Sequence, residues 1–231
     1  MSTSRPILLT RHVHLSLSEE FATFLDLKRD RYFTLGPPHI SLLRAIIKAP
    51  YAHDQSTAGF ISELTREGLF TISRENGKPL APAQILMPNH TLLDGFKPGD
   101  LIPISEMPRM LRAYVVATGR LRLRTLAALV ECVRRRKQID KPTRVALDPG
   151  RAKTAFFTFL RLRPLLYRQR RNCLLDSLVL FEYLASHGIF VDLVFGVRYQ
   201  PFAAHSWVQY GRSSLNGRPE FLAAFRPILI V

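Results

Sequence analysis

The sequence predicts an α+β protein in two units, and three observations carry that expectation. The first third alternates polar and apolar residues as strands do, a proline-rich stretch then interrupts, and the remainder combines helical stripes with two apolar strand patterns. With 231 residues, 47% hydrophobic and 22% charged, the chain has the composition of a folded protein and not of a disordered one.

The first unit is read from its punctuation. Arg11 to Leu17 alternates with period two, Phe21 to Leu27 gives a second strand, and the charged turn Lys28 to Arg31 leads into Tyr32 to Leu35, so a hairpin is expected. Gly36-Pro37-Pro38 stops the sheet. Ile40, Leu43, Ile46 and Ile47 recur at helical spacing, as do Phe60, Ile61 and Leu64, with Gly68 at a natural helix end and Leu69 to Ile72 as a short returning strand. Three strands with two or three helices outline a winged helix-turn-helix-like module over residues 1–80.

Residues 81–108 hold Pro82, Pro88, Pro98, Pro103 and Pro108 without a helical period and read as a connector. The second domain, 109–231, opens with helices between Met110 and Lys137, with Leu111, Val115, Leu121, Leu126, Leu129 and Val133 on their apolar side. Lys141-Pro142 and Asp148-Pro149-Gly150 interrupt, and Ala152 to Leu166 resumes an apolar stretch.

The net charge is +15, with basic residues crowded between Arg109 and Arg144. Such a field favours an anionic partner, whether nucleic acid, membrane surface or acidic peptide, although a solvated helical face accounts for it equally well. No apolar run approaches the roughly 20 residues of a membrane helix, and Met1 to Pro6 is not a secretory signal, so no stable membrane insertion and a cytoplasmic location are expected. The two cysteines, Cys132 and Cys173, lack the neighbours of a zinc site, and a structural disulfide is not expected in that compartment. No metal or other cofactor is called for.

The chemistry concentrates in the last sixty or so residues. Asn172 is a good N-cap, Leu174, Leu178, Phe181 and Leu184 form one stripe, and His187-Gly188 closes the helix, which places Cys173 in its first turn. There the helix dipole and free N–H groups stabilise a thiolate, as do Arg168, Arg170 and Arg171 just upstream. Ile189 to Val197 reads as a buried strand, and Ala203 to Tyr210 as a neighbouring one with His205, Trp207 and Gln209 on one face. A cysteine-bearing helix followed by a strand and then a histidine-bearing strand is the layout of papain-like and transglutaminase-like enzymes. His205 can take the thiol proton and return it to a leaving amine. Trp207 reads as packing beside the pair.

The string Cys173-Leu174-x-x-Ser177-Leu178, with Ala204-His205-Ser206-Trp207-Val208, resembles the B protein, or leader peptidase, of lasso-peptide biosynthesis. Phe24 to Leu35 is similar to the leader-recognition module that this family carries fused or as a partner. The resemblance implies a transglutaminase-like cysteine peptidase that cuts the leader from a ribosomally made precursor and hands the core to an ATP-dependent cyclase. It implies leader binding along the hairpin, at Leu25, Leu27, Arg31, Tyr32 and Phe33. It also implies an acidic third member after the histidine strand, where this chain has Gly217 after Leu215-Asn216. Asn216 is then the nearest group to orient His205, Asp192 a second candidate and Glu220 a remoter one. Tyr167 and Gln169 are candidate oxyanion groups beside the Cys173 N–H. The competing readings are a leader-binding scaffold with impaired catalysis and a basic winged-helix DNA-binding protein, although the helix from Ala58 to Glu67 is too acidic to seek phosphates, so no nucleic-acid partner is expected.

Overall fold

The computed structural model describes residues 6–51, 55–96, 104–139, 149–167 and 172–231, and among them the fold is α+β. Strands β1 (Leu8–Thr10), β2 (Val13–Leu17), β3 (Ala22–Asp26) and β4 (Arg31–Leu35) lead into helices α1 (Pro37–Lys48) and α2 (Gln55–Arg66), followed by β5 (Phe70–Thr71) and β6 (Gly77–Lys78). β2, β3 and β4 form an antiparallel meander, with His14 opposite Leu25 and Leu25 opposite Tyr32. β1 lies between β5 and β6 in a second small sheet.

β3, the middle strand of the meander, is buried on both faces, its successive side chains turning to opposite sides. Val13, Leu15, Phe24 and Leu35 join Leu43, Ile46, Phe60 and Leu64 from α1 and α2. Leu25 and Leu27 turn the other way, into the large core of the second unit. Every residue of β3 is therefore buried. The junction also holds polar and aromatic contacts: the Ser16 and Tyr199 hydroxyls are 3.0 Å apart, and Phe21 stacks on Tyr199.

The second unit contains α3 (Met107–Leu123), α4 (Leu126–Ile139), α5 (Pro149–Leu166), α6 (Cys173–Ser186) and a short α7 (Pro219–Leu222). Its sheet runs β11-β8-β9-β10-β7, with β8 (Asp192–Arg198), β9 (Ala203–Tyr210), β10 (Ser213–Ser214) and β11 (Arg226–Ile230). β7 (His90–Thr91) comes from the proline-rich stretch and pairs in parallel with β10, while Ile85 and Met87 of the same stretch pack against Trp207, Leu222 and Phe225.

α6 is apolar almost all round and is the central helix, buried from Asp176 to Ala185. α3 packs on it through Met110, Ala113 and Ala117, whose small alanines permit close approach. Leu111 and Val115, expected on that apolar side, are instead 48% and 59% exposed. Packing against α6 selects the small-residue face, and Arg120 on it pairs with the buried Glu182 of α6. No described helix is long and apolar enough to cross a membrane.

Candidate active site

The start of α6 is set by Asn172. Its extended backbone halts the incoming chain, its side-chain oxygen accepts the Leu175 N–H at 3.0 Å, and its carbonyl accepts the Asp176 N–H at 3.1 Å. Cys173, half-buried, is the first helical residue. On β9, His205 lies opposite Gly196 of β8. β10 pairs only with Gln209 and Tyr210 at the far end of β9, so the β9 edge near His205 is not covered by β10.

Cys173, Leu174, Ala204, His205 and Ser206 line a cavity of about 210 Å³. Burial pushes the Cys173 thiol up, but the neighbouring His205 ring and the Ser206 backbone outweigh it and bring the thiol down to about 7. The thiolate is thus accessible near neutrality, which is the condition for a cysteine nucleophile. The rest of the wall is largely apolar, from Leu121, Leu126, Leu129 and Phe195, with Tyr32 and Asp30 contributed by the N-terminal hairpin and Arg124 by the α3–α4 corner. Burial, then Asp30 and Cys173, push the Tyr32 hydroxyl up to about 12, so it stays a neutral hydrogen-bonding wall.

A buried polar network fixes α6 against β9. Ser177, one turn beyond Cys173, donates to the Ser206 carbonyl at 3.0 Å. The Asn216 side-chain NH₂ donates to Asp176 at 3.1 Å and to Ser177 at 2.9 Å, and its oxygen accepts the Val208 N–H at 2.8 Å. Asp176, 1% exposed, also accepts from the Tyr167 hydroxyl at 3.0 Å and lies 3.4 Å from the Arg163 guanidinium. Each donor and acceptor of this cluster is used, as buried polar groups require.

The structure therefore reassigns several expected residues. Asn216 does not orient His205, because its amide is fully engaged on Val208, Asp176 and Ser177. Asp192 is opposite Gln209, four positions along β9 from His205, and its carboxylate is held by Lys137 at 2.7 Å. Tyr167 gives its hydroxyl to Asp176 and stacks on Tyr114, away from any oxyanion role at Cys173. Gln169, with Arg168, Arg170 and Arg171, lies outside the described residues. Leu25 and Leu27 are buried in the shared core and offer a peptide no surface, Phe33 packs against Phe24, and Arg31 pairs with Glu67 at 3.2 Å.

What surrounds His205 is aromatic. Its ring lies parallel to Trp207 (interplanar 17°, centroids 6.3 Å), with Phe221 edge-on at 5.2 Å and Phe225 at 5.1 Å. Gln209 holds Trp207 by accepting its indole N–H at 2.8 Å. Gly196 makes the space, since a Cβ there would come within 2.6 Å of the Trp207 ring. Asp176, Ser206 and the two phenylalanines were not singled out by sequence reasoning. A glycine inside an apolar strand was the one available signal, because it marks close approach by a neighbour.

A family model described as the transglutaminase-like superfamily matches residues 110–230, more than half of the chain. The chain is also 44% identical over 50 residues to the Microcin J25-processing protein McjB of Escherichia coli. That stretch is 22% of this chain and 24% of the relative, so the similarity spans about a quarter of the relative's length. No solved structure matches. The short match supports the resemblance to lasso-peptide B proteins, and the match over α3 to β11 is broad enough to name the larger group: this chain belongs to the transglutaminase-like superfamily.

Proposed function

We propose that the chain is a cysteine peptidase that removes the leader from a lasso-peptide precursor, with Cys173 as nucleophile and His205 as general base and acid. The observation that carries this reading is that Cys173, the first residue of α6, and His205 of β9 line one cavity. The thiolate attacks the scissile carbonyl, and the N–H groups ahead of those taken by Asn172, on Cys173 and Leu174, are available to the oxyanion. His205, protonated, gives its proton to the departing amine, leaving a thioester. It then takes a proton from water, which attacks the thioester and frees the carboxylate and the thiol.

The N-terminal unit is read as the winged-helix-like leader-recognition module. β4 is an outer strand of the meander, and an extended leader could add alongside it through backbone hydrogen bonds. Tyr32 on that strand reaches the catalytic cavity, so a bound leader runs toward Cys173. Because the precursor is made on ribosomes, the reaction is placed in the cytoplasm, with an ATP-dependent cyclase taking the core. The comparisons favour neither the scaffold nor the DNA-binding reading. Cys173→Ala should abolish leader cleavage and leave leader affinity unchanged. Cleavage at the unmodified rate by that variant would overturn the assignment.

A further inference from the structure

Among the described residues, no carboxylate or amide is hydrogen-bonded to His205, the position at which enzymes of this layout hold an orienting third group. The position after Asn216 is Gly217, whose missing Cβ would sit 3.0 Å from the Leu222 side chain of α7. Asn216 and Asp192 are committed elsewhere, and Glu220 on α7 makes no bond to the ring. Phe221, the residue after Glu220, is half-exposed and yet keeps its ring perpendicular to His205 (89°, 5.2 Å). A half-exposed phenylalanine on a four-residue helix is poorly explained by core packing. Its contacts are His205 and Phe225, 5.3 Å away.

We propose that the cage of Trp207, Phe225 and Phe221 takes the place of the orienting acid, with Phe221 as a positioning residue that closes it over His205. The inference rests on the Cys173–His205 pair proposed above. Two properties of aromatic rings support it. The Phe225 ring, centred 5.1 Å from His205, is close enough for its quadrupole to attract the imidazolium formed when His205 holds the thiol proton, with Trp207 stacked at 6.3 Å. The perpendicular Phe221 edge fixes the ring's rotation, which a carboxylate would otherwise fix by hydrogen bonding. The layers behind it are rigid, because Gln209 holds Trp207, and the Arg198 guanidinium lies 5.7 Å from the Phe225 ring centre. The other charged or titratable groups facing the cavity with His205 are Cys173 from α6, Asp30 and Tyr32 from the hairpin, and Arg124 from the α3–α4 corner.

The test uses the full chain with Cys132→Ser, following Cys173 alkylation by iodoacetamide against pH together with leader cleavage. Phe221→Ala should move the alkylation midpoint upward from about 7. It should slow alkylation at pH 7 about five- to tenfold and lower kcat more than it raises KM. Phe221→Tyr should restore both, and the melting temperature should not change, since the side chain is half-exposed. An alkylation profile for Phe221→Ala that superposes on the unsubstituted one would overturn the cage, as would equal impairment by Phe221→Tyr. If alkylation of the unsubstituted chain is slow and His205→Ala slows it no further, the failure lies with the Cys173–His205 pair itself, and the cage falls with it.

Discussion

A histidine stands at each end of α6, His187 at its C-cap and His205 of β9 facing its start, and the two are built in opposite ways. At the C-terminal end, His187 has an acid: its Nε2 lies 3.1 Å from Glu106, which also accepts from the Tyr183 hydroxyl at 3.2 Å, beside a cavity of about 580 Å³. Burial lowers His187 from its ordinary value, more than Glu106 raises it. At the N-terminal end, no carboxylate among the described residues is hydrogen-bonded to His205, which shares a cavity with Cys173. No cysteine lines the cavity at the other end. The difference teaches that the two ends of one helix suit opposite charges: the free N–H groups and dipole at the start favour an anion beside Cys173, whereas the last turn disfavours one.

The comparison breaks most sharply on the two histidines. His205→Gln should lower kcat/KM for leader cleavage by roughly 10³-fold, the weight of a general base. His187→Gln should leave it within about twofold. Equal losses would mean that α6 is sensitive at both ends for structural reasons alone.

A second contrast concerns how each end is tied down. Asn216→Ala removes the acceptor of the buried Val208 N–H and one donor each from Asp176 and Ser177, and should lower the unfolding free energy by about 3 kcal/mol in urea titrations. Glu106→Gln acts at a partly exposed cluster and should remove about 1 kcal/mol. If the two substitutions proved equal, the buried network at the Cys173 end would not be the stronger tie.

The last effect separates stability from chemistry. His14, buried and then opposed by Lys78, Arg134 and His12, is pushed down to about 3. It is neutral in the folded chain and charges in the unfolded one below about 6.5, so its contribution is complete above that pH and is lost as the pH falls. Between pH 7 and pH 5 the chain should lose about 2 kcal/mol that His14→Leu does not lose. Identical pH slopes for the two proteins would show that His14 is not the group responsible.

Much of the site was readable in advance because its signals are local. Asn172 before an apolar stripe fixes where a helix begins, and the period of two puts His205 with Trp207, so Cys173 and His205 could be paired on paper. What failed depends on tertiary direction. Asn216 lies two residues past β10, and whether its amide turns to His205 or to Asp176 is decided by how that short segment packs, which no periodicity reports. Asp176 in a first helical turn reads as an ordinary dipole partner, yet it is buried because α5 and Tyr167 close over it. Leu111 and Val115 form as good a stripe as Ala113 and Ala117, and only the close approach of α6 chooses the smaller residues. Leu25 and Leu27 alternate like residues facing a solvated surface, and a second domain against that face cannot be seen from the strand itself.

That second domain bears on how such a protein can be divided. The meander lends Leu25 and Leu27 to the large core and Tyr32 to the wall of the cavity beside Cys173, so the N-terminal unit helps to build that cavity. Separate polypeptides carrying the same two halves would meet water with an oily seam on each, and would have to find one another before the chamber was complete. Fusion makes that encounter intramolecular, so the seam is closed and the cavity completed in a single folding event.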